Sequence, residues 1–224
     1  MQSTVTKPTP SFPSLSNECY LLDADDTATG PLQALVLDHL LLNEGTTYWV
    51  DAAGHARTDT LVRLAPSARM LTRIQVARGF TAYQHAALVD RVTEVITPDT
   101  PLVVAPAIDS MYRDDDYGVD GAAMLRNAVA TLTTRCRETD TPLVVTYARR
   151  DAFSAPVSQH VDETIRCEQT RFGPRFVGEE FETLVYPYGD GFVQTTLAFW
   201  RQVLERRATV TSLTQPEVIT HGAH

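Results

Sequence analysis

The chain has 224 residues and a mass of 24.8 kDa, room for one α/β domain with a real core. Hydrophobic residues at 43% and charged residues at 21% are ordinary for a globular protein and exclude wholesale disorder. The net charge is −9, and of 19 basic residues only Lys7 is lysine, the other 18 being arginine, which excludes any mechanism that needs a lysine in the folded body.

Residues 1–17 are rich in Ser, Thr and Pro and read as a flexible arm. A short strand, Cys19 to Asp23, leads into the polar loop DADDTATG. Pro31 suits the first position of a helix whose apolar face is Leu32, Leu35, Val36 and Leu40, and Gly45 ends it. A strand at 46–51, a short helix at 58–64 and a strand at 70–76 follow. Leu88, Val92, Val95 and Ile96 mark a helix within 81–96. PLVVAP at 101–106 and PLVVTYA at 142–148 are continuous apolar runs, expected as buried strands on either side of a long helix at 120–137. The order β-α-β-α-β-α-β-α-β over the first 150 residues predicts a mostly parallel sheet with helices on both faces. After Arg150 strands are expected at 164–168, 175–177, 183–188 and 192–196, with Gly189-Asp190-Gly191 as a hairpin turn and no helix before Ala198. These strands are expected to extend the same sheet antiparallel. The core domain then spans 18–208, followed by a loose tail at 209–224.

Low lysine with abundant Asp and Thr fits a halophilic protein, since carboxylates hold water and salt screens their repulsion. A high-GC genome also favours arginine. No apolar run reaches the length of a membrane span and no signal peptide opens the chain, so a cytoplasmic protein is expected. Cys19, Cys136 and Cys167 are far apart and odd in number, and no CxxC is present. Buried free thiols are expected, with neither a disulfide framework nor a metal.

Three segments carry a resemblance. They are YWVDAAGHARTDTLVRLA at 48–65, VARGFTAYQHAALVDRV at 76–92, and LVVAPAIDSMYRDDD at 102–116 followed by a long helix and PLVVTYARRD. In order and spacing they resemble the RecA/RadA/RadB recombinase core, a superfamily that includes KaiC-like ATPases. The resemblance covers about residues 18–150. It implies a RecA-like mostly parallel sheet, extended by antiparallel strands in the C-terminal third, in a degenerate member of a haloarchaeal type.

The family's chemistry is missing at each matched station. Its phosphate loop needs glycines for backbone N–H donors, a lysine for charge and a hydroxyl for Mg²⁺. The matching loop runs from Asp23 to Gly30, with Asp25, Asp26 and Thr29 between, and has no lysine. Carboxylates facing a triphosphate cost on the order of 4 kcal/mol per like-charge pair at 4 Å and an effective dielectric of 20. The family's catalytic Glu falls on Ala53, its Walker B aspartate on Pro106 and its polar sensor on Ala148. The resemblance therefore implies a pseudo-ATPase without catalytic residues or cofactor. Asp23, Asp25 and Asp26 could alternatively hold a cation, against the plainer reading of a solvated acidic turn.

Asp109, Asp114, Asp115 and Asp116 cluster after the fourth strand with Arg113 and read as a solvated acidic loop or a surface for a basic partner. Arg113, Arg149, Arg150 and Arg171 are candidate contacts to DNA or a partner, with Arg166 and Arg175 nearby, or else they bridge to local carboxylates. Ser158, His160 and Asp162 would share one side of a strand, but no GxSxG supports a hydrolase. His39, His55 and His85 are too scattered for a metal. Tyr48, Trp49, Tyr83 and Leu88 are expected in the core. The resemblance implies an accessory or regulatory factor in DNA recombination and repair. Its partner would be a RecA-family recombinase, a related ATPase or a second copy, with DNA as a further candidate. The alternative is an interaction partner of a KaiC-like signalling ATPase with no DNA role.

Overall fold

The apolar runs assemble into one seven-stranded sheet in the order β3-β2-β4-β5-β1-β6-β7. The computed structural model describes residues 12–24, 30–52, 54–114, 118–170, 173–179, 181–183 and 196–214. The strands are β1 (Cys19–Ala24), β2 (Thr47–Ala52), β3 (Ile74–Gly79), β4 (Val103–Ala105), β5 (Leu143–Val145), β6 (Glu163–Thr170) and β7 (Gly173–Val177). The helices are α1 (Pro31–Leu42), α2 (Thr58–Leu64), α3 (Ala68–Leu71), α4 (Ala82–Val95), α5 (Gly118–Glu138), α6 (Ala155–His160) and α7 (Thr196–Thr214). All pairings are parallel except β6 with β7. Among the described residues no helix is long and apolar enough to cross a membrane.

Each sheet face buries alternate residues of the same strands. Tyr20, Leu22, Val104 and Val144 pack under α1, α2 and α7, while Leu21, Val103, Val145 and Leu143 pack under α4, α5 and α6. Covering both faces explains why β4 and β5 read as unbroken apolar runs. α1 starts as expected, with Pro31 in its first turn after Gly30 at φ 83°. Its far end is closed by Arg73, whose guanidinium donates to the Leu40, Asn43 and Gly45 carbonyls. A cation at a helix C-terminus also opposes the helix dipole.

Gly45 sits at φ 107°, and a Cβ there would lie 2.5 Å from the Asp99 carbonyl oxygen. Gly45→Ala is expected to cost about 2 kcal/mol through backbone strain and overpacking. Thermal unfolding should register this as a fall of roughly 4–8 °C in Tm.

The structure departs from the sequence expectations in several places. The strand expected at 70–76 begins only at Ile74, because Met70 and Leu71 close α3. The Arg73 N–H donates back to the Met70 carbonyl at 3.1 Å, which keeps the chain turning until Ile74. The C-terminal third is not wholly antiparallel. Its first strand, β6, pairs parallel to β1, and only β7 is antiparallel. α6 is the crossover that makes this possible, a helix where none was expected, with a proline in its first turn. The expected hairpin at 189–191 and most of its flanking strands lie outside the described residues, while Thr196 opens α7.

Phe12 and Leu15, placed in the expected arm, are buried. The Phe12 ring lies 5.8 Å from Phe176 and 5.3 Å from Trp200. α7 continues to Thr214, past the boundary expected at 208. Trp49 is core as expected, but Tyr83 is 68% exposed, since α4 turns it away from the sheet.

Candidate functional site

In open α/β sheets a crevice forms outside the carboxyl ends of the strands where connections leave in opposite directions. β1 occupies that place here. α1 carries the chain from β1 past β5 and β4 to β2, and α6 carries it from β5 over to β6 on the other side of β1. A crevice of about 720 Å³ opens there. Asp23, Gly30, Pro106 and Ala148 all line it, so residues from separate segments of the sequence meet at one place. Asp25, Asp26, Thr29 and Ala53 lie outside the described residues.

Among the described residues, one carboxylate, Asp23, and three arginines line this crevice. Asp23 is engaged, with Arg150 Nη1 3.2 Å from its carboxylate. The Tyr147 hydroxyl is pushed up by burial and by a hydrogen bond with the same carboxylate. Arg57 and Arg149 also line the crevice. Arg57 and Ala107, both at φ 45°, are non-glycine residues in left-handed backbone at its rim. The Ala107 turn is held by its N–H, which donates to Thr146 Oγ1 at 2.8 Å.

The loops after β4 and β5 are locked together by a buried carboxylate. Asp109 is fully buried, which corrects its reading as part of a solvated acidic loop. One of its oxygens accepts the Ala148 N–H at 2.5 Å and the other accepts Arg113 Nε at 2.6 Å. Arg113 then donates bidentately to Asp151 at 2.8 and 2.9 Å and to the Arg149 carbonyl at 2.9 Å. Its guanidinium also lies 4.9 Å from the centre of the Phe153 ring. The Arg113 guanidinium holds the Asp151 carboxyl down to about 2. The Nε, Nη1 and Nη2 groups of Arg113 each donate within the protein, so Arg113 clamps the two loops together.

A second buried carboxylate repeats the device at the end of β2. Asp51 accepts the Ala56 N–H at 2.6 Å and Arg78 Nε at 2.5 Å. His85 lies buried beside this pair, its Nδ1 2.7 Å from the Tyr112 hydroxyl. Burial pushes His85 down to about 4, and Asp51 only partly opposes this, so the imidazole is neutral near pH 7. Gly79 permits this approach, since a Cβ there would lie 2.9 Å from the His85 backbone nitrogen.

The remaining candidates scatter. Arg149 is exposed and enters no ion pair among the described residues. Arg150 is exposed but paired with Asp23, and Arg171 lies outside the described residues. Arg166 is exposed, whereas Arg175 bridges Glu168 and Glu182. Ser158 and His160 belong to α6 and not to a strand, and His160 Nδ1 contacts the Pro156 carbonyl at 2.7 Å. Asp162 accepts the Cys19 N–H at 2.8 Å and Arg137 Nη2 at 2.7 Å, so the three form no triad. The three cysteines are buried and unlinked, and burial pushes the Cys19 thiol up to about 12. Among the described residues no three His, Cys, Asp or Glu side chains gather as a metal site.

Sequence reasoning missed Asp51 and Asp109 as buried anchors. The available signal was an acidic residue at or just past the end of an apolar strand, with an arginine four residues on in the case of Asp109. The chain matches no family model and no curated protein sequence.

Proposed function

We propose that the chain is a non-catalytic, RecA-like pseudo-ATPase that serves as an accessory or regulatory factor in DNA recombination and repair, acting by binding. The observation that carries this reading is the convergence of Asp23, Gly30, Pro106 and Ala148 on one crevice. Pro106 and Ala148 belong to the third of the segments that resemble the recombinase core, and Asp23 and Gly30 to the loop matched to its phosphate loop. At that crevice a metal-organising carboxylate is replaced by Pro106 and a polar sensor by Ala148, and the chain has no lysine beyond Lys7 to meet a phosphate. The occupation of Arg113 by Asp109 and Asp151 favours a second reading, in which the partner is a KaiC-like ATPase and DNA is not bound.

Two measurements test the proposal. A fluorescent ATP analogue is expected to show no Mg²⁺-dependent saturation, and micromolar affinity requiring Mg²⁺ would overturn the pseudo-ATPase. Single-stranded DNA retention is expected to weaken as salt rises. Arg149→Ala with Arg150→Ala should reduce the slope of log affinity against log salt by about 1.4, from two lost phosphate contacts. No retention at any salt leaves the KaiC-like reading in place of the DNA role.

A further inference from the structure

Residues 68–83 carry three arginines, Arg69, Arg73 and Arg78, and no carboxylate, in a chain of 19 basic and 28 acidic residues. The fold gathers this segment at one border of the sheet, as α3, β3 and the start of α4. One of the charges is cancelled locally, Arg78 by Asp51 at 2.5 Å. Arg73 is held by carbonyls and keeps its charge, and Arg69 is exposed without an ion pair among the described residues. An acidic protein thus presents one basic border.

That border is also open. β3 is the last strand of the sheet and, among the described residues, pairs only with β2, in unbroken register from Ile74 to Gly79. Its outer N–H and C=O groups are a template for another strand. Exposed edges are usually blunted by charged side chains, proline or a bulge; Ile74–Gly79 has neither proline nor bulge, and its one charged side chain, Arg78, is bonded to Asp51. Apolar side chains continue the strip: Val76 is 37% exposed, Phe80 70% and Tyr83 68%. A single exposed apolar residue needs no explanation, but three within eight residues along an open basic edge do.

We infer that the β3 edge is the docking site for an extended, acidic segment of a partner protein, which adds to the sheet as an eighth strand. Backbone hydrogen bonds to β3 supply the pairing. Apolar residues of the segment cover Val76 and Phe80, and its carboxylates meet the uncancelled charges of Arg69 and Arg73. A second copy pairing through its own β3 is disfavoured, because two-fold symmetry would bring the same uncancelled arginines face to face. The inference rests on the preceding reading only in taking the chain to act by binding, and no outcome of the ATP or DNA measurements alters its test.

The test uses the full chain, immobilised and panned with a phage-displayed library of random dodecapeptides at low and high KCl. Enriched peptides are expected to alternate apolar and acidic residues. On binding, amide exchange in β3 should slow. Affinity should fall about tenfold or more with Phe80→Ser and again with Arg69→Glu, both at exposed positions where folding is not at stake. Enrichment of basic or charge-indifferent peptides, no enrichment at all, or binding indifferent to both substitutions overturns the proposal. A concentration-dependent dimer abolished by Phe80→Ser overturns it as well, because the edge then belongs to a second copy.

Discussion

Arg113→Met is expected to destabilise the protein by about 3–5 kcal/mol, the cost of leaving a buried carboxylate without its cation. Asp109 has no access to water, and Arg113 is the only cationic group bonded to it among the described residues. The substitution also frees Asp151 and the Arg149 carbonyl, so the loops after β4 and β5 lose their shared clamp. The expected fall in Tm is roughly 6–20 °C, measured by circular dichroism in the salt that suits the native protein. Arg113→Lys should recover little, because a point ammonium cannot meet Asp109 and both Asp151 oxygens together. Arg150→Ala is the contrast. Its side chain is 80% exposed, and losing its pair with Asp23 should cost less than about 1 kcal/mol. Equal losses at the two sites would show that Asp109 is not the anchor described.

The contrast between these two arginines also marks what a sequence can and cannot say. Arg113, Arg149 and Arg150 look alike along the chain, all in charged turns after apolar strands. The bonds that separate them arise across the sheet: the Ala148 N–H reaches Asp109 from 39 residues away, and Arg78 reaches Asp51 from 27. Such pairs depend on strand order and register, which local composition does not encode. The strands themselves were legible because burial on both faces writes a continuous apolar run, as in the two PLVV segments. α5 was legible because Leu125, Val129, Leu132 and Cys136 keep one helical face. The segment 155–160 was misread because six residues hold too little periodicity to separate a helical turn from a strand. The crevice was half legible. Asp23, Pro106 and Ala148 were singled out together from sequence, but the arginine that pairs with Asp23, Arg150, comes from the loop after β5.

The border at β3 follows the same logic on the surface. A run of arginines reads as solvated charge until the topology makes β3 the outermost strand. Edge position, exposed Phe80 and uncancelled charge are then three independent properties of one place. The crevice lies at the carboxyl ends of the central strands, whereas the docking edge lies along the side of β3. A partner on β3 therefore leaves the crevice open, and mutations at Phe80 should not change behaviour assigned to Arg149 and Arg150.

A third buried carboxylate paired with an arginine gives the largest pH-dependent effect. Asp38 on α1 is 2% exposed and is held by Arg207 on α7, with Arg207 Nη2 donating to Asp38 Oδ2 at 3.0 Å. Burial pushes the Asp38 carboxyl up to about 6, although Arg207 pulls the other way. The unfolded carboxyl titrates near 3.8, so between those values the folded chain holds a proton that the unfolded chain has lost. This contribution to stability is full below about pH 4 and disappears as pH rises through 6, with a span on the order of 3 kcal/mol. Arg207→Met removes the one opposing charge among the described residues. Near pH 7.5 it is expected to cost about 3–4 kcal/mol, because Asp38 must fold charged and unpaired or take up a proton. Near pH 5 the carboxyl is already protonated in the folded state, and the loss relative to wild type should shrink to about 1 kcal/mol. Comparing variant with wild type at each pH cancels the titration of every other carboxylate. The double variant Asp38→Asn with Arg207→Met should lie within about 1 kcal/mol of wild type at both values, since the buried charge is gone. Urea unfolding at the two pH values measures all three differences. A loss from Arg207→Met that is the same at both, or one the double variant fails to repair, would mean that packing against Phe12 and not the charge of Asp38 joins α7 to α1.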